Sequence, residues 1–141
     1  MADLVQTAAN VASGLADTTL SASNVKKVIW GETVAQGNAV RYNELDKRYY
    51  KAKNDTVDHA DAKGVALSGG AAGQPGYVQQ SGDINLGATL VVGATYCVSD
   101  TAGAICPDAD IGSGEFKTVL GVADAANNLK LDILASGIAH A

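Results

Sequence analysis

A glycine-punctuated strand unit occurs twice along this chain, and nothing else in it limits the possible folds so sharply. The first copy reads Gly31-Glu-Thr-Val-Ala-Gln-Gly37-Asn-Ala-Val-Arg-Tyr42, continues through Tyr49-Tyr50, and closes at Lys63-Gly64-Val65-Ala66-Leu67. The second reads Gly82-Asp-Ile-Asn-Leu-Gly87-Ala-Thr-Leu-Val, continues through Tyr96-Cys97, and closes at Leu120-Gly121-Val122-Ala123-Asp124. Each copy opens on a glycine, an acidic residue and a second glycine after a short spacer. An alternating strand, a tyrosine hairpin and a Gly-Val-Ala strand follow. Short strands cut by glycine turns predict an all-β fold: a small β-sandwich or jelly-roll-like barrel of about nine to eleven short strands. The repeat contains no nucleophile, base or metal cage, which favours a structural or binding role.

The chain has 141 residues, enough for one domain with its own core. It is 47% hydrophobic with only 5% aromatics, and much of the apolar share is alanine. Such a composition buries little apolar area per residue, so oligomerisation or burial against a partner is expected. Formal net charge is -5 and the pI about 4.7. An acidic surface disfavours nucleic-acid backbone and anionic membrane as partners. The basic residues that remain concentrate at Lys26-Lys27 and between Arg41 and Lys53. No window is long and apolar enough for a membrane span. The opening Met1-Ala-Asp-Leu-Val-Gln-Thr-Ala8 lacks a basic and an apolar leader region, so synthesis in the cytoplasm without Sec export is expected.

Three regions follow from composition. Residues 1–24 are small and polar and read as an extended N-terminal arm that orders by lying on something else, for instance by adding a strand to a neighbour's sheet edge. Residues 25–136 form a single β domain. Residues 137–141 read as a flexible tail. Within the domain, strands are predicted over residues 25–30, 39–42, 48–51, 64–68, 77–80, 89–92, 95–99, 104–106, 116–122 and 129–134. Turns are predicted at 43–47 and 83–87, and a polar, charged loop at 53–63 with room for a helical turn.

Candidate chemistry is sparse. Asp55, Asp58, His59 and Asp61 cluster in one loop, but the spacing lacks the glycine and distal glutamate of a calcium-binding loop. The run Gly69-Gly-Ala-Ala-Gly-Gln-Pro-Gly76 lacks the Lys-Ser/Thr ending and following helix of a phosphate loop. No serine lies in a Gly-x-Ser-x-Gly elbow. Cys97 and Cys106 face each other if Thr101-Ala102 centres a hairpin. Either a cross-strand disulfide or two buried thiols would fit. No catalytic, cofactor or metal residue is assigned, and no enzyme activity or cofactor is expected. The aromatic and cationic side chains Arg41, Tyr42, Arg48, Tyr49 and Tyr50 mark a hairpin suited to an interface, or to a sugar- or nucleic-acid-binding face.

The order of these phrases resembles one known family. Ala62-Lys-Gly-Val-Ala-Leu-Ser-Gly-Gly-Ala-Ala-Gly-Gln-Pro75, Gln80-Ser-Gly-Asp-Ile-Asn85 before Gly87-Ala-Thr-Leu90, Tyr96-Cys-Val-Ser-Asp-Thr-Ala-Gly-Ala-Ile-Cys-Pro107 and Thr118-Val-Leu-Gly-Val-Ala123 are similar to small structural proteins of tailed bacteriophages, the capsid decoration or cement proteins. The opening Ala2-Asp-Leu-Val-Gln-Thr-Ala-Ala-Asn-Val11 is similar too. The resemblance covers residues 28–138, and its specificity lies in the order of the phrases. The basic, tyrosine-rich segment 41–53 and the cysteine pair depart from it. The resemblance implies a homo-dimer or homo-trimer on the outer capsid surface of the virion, bridging neighbouring major capsid proteins against internal DNA pressure. Expected capsid or subunit contacts are Leu4, Val5 and Val11 of the arm, with Arg41, Tyr42, Arg48, Tyr49 and Tyr50 of the hairpin. The alternatives are a host-recognition or carbohydrate-binding module on the virion, and a small hydrolase using unpaired aspartates.

Overall fold

The computed structural model turns the sequence repeat into two antiparallel sheets with the same strand order. It describes residues 3–6, 11–13 and 25–139. After the arm strand β1 (Val11–Ser13), the first half supplies β2 (Val25–Ile29), β3 (Ala39–Asn43), β4 (Arg48–Lys51), a one-turn helix α1 (Val57–Ala60), β5 (Ala62–Ala66) and β6 (Pro75–Gln79). The second half supplies β7 (Ser81–Leu86), β8 (Thr95–Val98), β9 (Ile105–Pro107), β10 (Phe116–Ala125) and β11 (Asn128–Ala139). The first sheet runs β2-β6-β5-β3-β4 and the second β7-β11-β10-β8-β9, with β1 added beside β7. Adding five to each label of the first order gives the second. The protein is a small β-sandwich whose sheets come from successive halves of the chain.

Register matches at the centre of each half. Across β3–β5, Ala39 faces Val65 and Val40 faces Gly64; across β8–β10, Thr95 faces Val122 and Tyr96 faces Gly121. The turns before β3 and β8 match as well. The Gly37 N–H donates to the Ala66 carbonyl at 2.8 Å, and the Gly93 N–H to the Ala123 carbonyl at 2.7 Å. Both glycines have φ near +90°, 91° and 85°, a turn position at which any side chain would be strained. The structural counterpart of Gly31–Gly37 is therefore Gly87–Gly93, not Gly82–Gly87 as the sequence suggests. Gly82 and Asp83 lie inside β7, where Ile84 and Leu86 alternate into the core. Residues 89–92, expected as a strand, form the loop whose Leu90 is buried, just as Val34 is in the first half. A short alternating apolar run looks the same in either setting; the flanking glycines decide.

Each sheet curls around its own apolar set. In the first half this is Val28, Trp30, Val34, Val40, Tyr49, Ala66 and Val78. The curl brings β4 back to β2 through a Trp30–Tyr49 bridge, and the Gly31 N–H donates to the Tyr49 carbonyl at 2.8 Å. Trp30 is fully buried, which at about 25 cal/mol per Å² contributes on the order of 4 kcal/mol. The larger core includes Ile84, Leu86, Leu90, Tyr96, Leu120 and Leu129 and also takes Ala39, Ala52, Ala62 and Val65 from the first half. Small side chains on that face let the two sheets approach closely. Two buried amides tie the halves together. Asn54 donates to the Val98 carbonyl and to Glu115, both at 3.2 Å, and Gln79 donates to the carbonyls of Ser81 and Asp83 at 3.0 and 2.7 Å.

The arm lies on its own domain. The Leu4 N–H donates to the Ile105 carbonyl of β9 at 2.7 Å. The Gln6 amide donates to the carbonyls of Gly37 and Leu86 at 3.0 and 2.9 Å, and β1 then pairs antiparallel with β7. Residues 3–6 and β1 thus lie along β9 and β7. Within the chain, β1 adds as an edge strand beside β7. The remaining residues of 1–24 lie outside the described ones. At the other end β11 runs to Ala139, past the expected domain limit at 136.

Candidate functional site

Alternation along the β3–β4 hairpin divides its aromatic and cationic residues between two faces. Tyr42 and Tyr49 are cross-strand partners, with ring centroids 5.1 Å apart at 53°. Their ladder position lies between hydrogen-bonded pairs, where side chains come closest. The Lys26 ammonium from β2 sits 6.0 Å from both ring centroids. Tyr49 is buried beneath it and Tyr42 half-buried. With Lys27, Ile29 and Lys47 they line a groove of about 370 Å³ between β2 and the hairpin. Lys47 holds a φ of 59°, the one positive value at a non-glycine among the described residues; the turn from Asn43 to Arg48 requires it.

The opposite face has a different chemistry. Arg41 lies 5.3 Å over the Tyr50 ring, and the Tyr50 hydroxyl donates to Asp46. That hydrogen bond lowers the Asp46 carboxyl below its ordinary value and raises the Tyr50 phenol. Tyr50 also packs on Gly31, where any Cβ would strike its ring. Arg48 is exposed, and its N–H donates to Asp46 at 3.1 Å. The five hairpin residues are thus two separate constellations. Only Tyr42 and Tyr49 join Lys26.

The arm residues separate too. Leu4 is half-buried against the larger core, and Val11 is buried within the chain. Val5 is 88% exposed.

Other candidates resolve into local structure. His59 Nδ1 lies 2.8 Å from Asp55, whose carboxyl is held below its ordinary value. Burial is the largest single influence and raises the Asp55 value, but the His59 hydrogen bond and the charges of His59 and Lys53 together outweigh it. Thr56 caps α1 by accepting from the His59 N–H at 3.1 Å. Among the described residues no three His, Cys, Asp or Glu side chains gather into a metal cage. The run 69–76 makes the turn around Gly73, and its glycines at 70 and 76 lie against the Trp30 indole. Cys97 and Cys106 are direct cross-strand partners and free thiols, packed with Ile111 on the outer face of the second sheet. Desolvation pushes them up to about 11 and about 12.

Sequence reasoning treated Lys26-Lys27 and the tyrosine hairpin as separate patches. Their meeting across β2 and β4 depends on the curl of the first sheet. The alternation of Lys26 with the inward-facing Val28 and Trp30 was the one local sign that they share a face.

No family model and no curated protein matches the chain.

Proposed function

We propose that this protein is a structural virion protein that binds the outer surface of a bacteriophage capsid and cements neighbouring major capsid proteins. The observation that carries the reading is an exposed, uncharged sheet edge at the end of β11. The resemblance in phrase order supplies the partner. On β11, pairing with β7 stops at Asp132, and the strand continues uncharged through Ile133-Leu-Ala-Ser-Gly-Ile138. Leu134 and Ile138 there are 70% and 74% exposed. A long, uncharged, apolar edge is a template for another chain, and it suits self-association into a dimer or trimer on the capsid lattice.

The test is co-sedimentation of purified protein with capsids lacking it, followed by cryo-electron microscopy. The expected result is ordered density between capsomers at symmetry axes, which also gives the oligomeric state. Protein left free in the supernatant, or bound only to tails, would overturn the cement role. A carbohydrate-binding module built on the Tyr42–Tyr49 pair is less well supported, because Tyr49 is buried and Lys26 stands over both rings.

A further inference from the structure

The repeated topology makes the two halves comparable at one place: the gap between the first and third strands of each sheet's chain order, β2 and β4 in one half, β7 and β9 in the other. In the second half residues 3–6 and β1 of the chain's own arm lie along the bordering strands, hydrogen-bonded to β9 through Leu4 and to β7 through β1. In the first half β4 reaches β2 only at Trp30 and Gly31. Along residues 25–29 the strands diverge, leaving the groove of about 370 Å³.

The ladder phase fixes what β2 offers there. The Trp30 N–H donates to the Gln74 carbonyl of the β6 side, and Val28 and Lys26 face Gly76 and Val78 in register. Antiparallel pairing alternates, so the N–H and C=O groups of Val25, Lys27 and Ile29 point away from β6, toward the gap. The groove has an aromatic floor, Tyr42 and Tyr49, under a rim of Lys26, Lys27 and Lys47. No acidic residue lines it, and among the described residues none of these lysines is in an ion pair. On a chain of formal charge -5, these three lysines, without an ion pair among the described residues, form a locally opposite surface beside the β2 edge.

We infer that this groove is a docking site for an extended, acidic segment of a partner polypeptide, which adds as a strand along β2 with its carboxylates toward Lys26, Lys27 and Lys47. The arm in the second half is the internal precedent for the mode of filling. The lysines set the chemistry, because the backbone edge selects an extended strand and the rim selects negative charge. About five residues, roughly 16 Å of strand, span the edge. The docking mode stands on the groove alone; only the identification of the partner as capsid protein rests on the proposed function.

The experiment titrates ¹⁵N-labelled protein with a blocked nonapeptide of alternating valine and aspartate, and with the same peptide carrying lysine for aspartate. The aspartate peptide is expected to shift the Lys27, Ile29 and Tyr49 amides saturably and to slow exchange of the Lys27 and Ile29 amides. Affinity should fall at least tenfold in the Lys26→Glu/Lys27→Glu variant and for the lysine peptide. Both lysines are exposed, so the variant should fold; Lys47→Glu is a second, independent variant. Absence of saturable shifts, equal response to both peptides, or unchanged affinity in both variants would overturn the inference. Capsid co-sedimentation of wild type separates the two ideas. Peptide binding without capsid binding removes the cement role and leaves the groove, whereas capsid binding without peptide binding removes the groove alone.

Discussion

Gly64 and Gly121 are equivalent residues in the two halves, and both are explained by the close approach of a neighbouring strand. Neither has a positive φ, so backbone conformation does not require glycine there. Space does. A Cβ at Gly121 would lie 2.1 Å from the Lys130 carbonyl oxygen and 2.9 Å from its carbon; at Gly64 it would lie 2.4 Å from the Gln79 carbonyl oxygen. These carbonyl obstacles are backbone atoms, so no rotamer relieves them; at Gly64 the Val78 side chain stands equally close, at 2.4 Å. Gly121→Ala must push β11 off β10 by about 1 Å to restore van der Waals contact. Overpacking of this kind costs about 1–3 kcal/mol, and weakening a ladder hydrogen bond adds about 1 kcal/mol. We expect a loss of about 3 kcal/mol for Gly121→Ala and slightly less for Gly64→Ala. For a chain of this length that is a Tm drop of roughly 10 °C. The control is Gly73→Ala, where φ is 85° and nothing lies within 4 Å. There only the left-handed backbone is penalised, by about 1 kcal/mol. Urea unfolding followed by circular dichroism, with wild-type slope retained, measures all three. If Gly121→Ala costs no more than Gly73→Ala, strand approach is not why glycine occupies that position.

Two further predictions follow from buried thiols and from the open edge. Cys97 and Cys106 are raised from the ordinary 9.0 to about 11 and about 12, so the folded state holds protons that the unfolded chain releases from about pH 9. Their contribution is complete below pH 9 and is lost as pH rises toward 12; urea midpoints should fall more steeply above pH 9 in wild type than in the Cys97→Ala/Cys106→Ala variant, and equal slopes would contradict this. Substituting Leu134→Lys and Ile138→Lys places charge on the unpaired edge of β11. It should abolish concentration-dependent association in sedimentation velocity while changing stability by less than about 0.5 kcal/mol; association as strong as wild type's would show that this edge is not the self-contact.

The sequence reading of an all-β fold succeeded because its signals are local. Glycine turns such as Gly37 and Gly93, and alternation such as Val28 with Trp30, act over a few residues. The closing strands, Gly64-Val65-Ala66 and Gly121-Val122-Ala123, were matched correctly because each repeats a three-residue pattern with a steric cause. The opening glycines were matched one turn too early. Gly82 and Gly87 resemble a turn pair in spacing, yet Ile84 and Leu86 between them are pulled into the core from β7, the strand between β11 and β1. That pull is tertiary. The candidate site was legible only in part for the same reason. Tyr42 and Tyr49 follow from hairpin register, but Lys26 joins them through a curl set by Trp30 and by the glycines that cushion it.

The repeat raises the question of whether either half folds alone, and the packing answers that neither does. The first half encloses Trp30 with residues all its own, which suggests independence. Its other face, however, presents Ala39, Ala52, Ala62 and Val65 to the second half's core. Both buried amides reach across, Asn54 to Val98 and Glu115, Gln79 to Ser81 and Asp83. Removing the second half takes from both amides the hydrogen bonds that order them, worth about 1 kcal/mol each, and exposes the alanine face. A unit near 60 residues is marginal even when complete, so these losses exceed its reserve. Fragment 25–80 should therefore lack a cooperative urea transition monitored by Trp30 fluorescence, and mixing it with fragment 81–141 should restore one. A cooperative transition of fragment 25–80 by itself would show that the halves are joined domains, and that the shared alanine core contributes little to either.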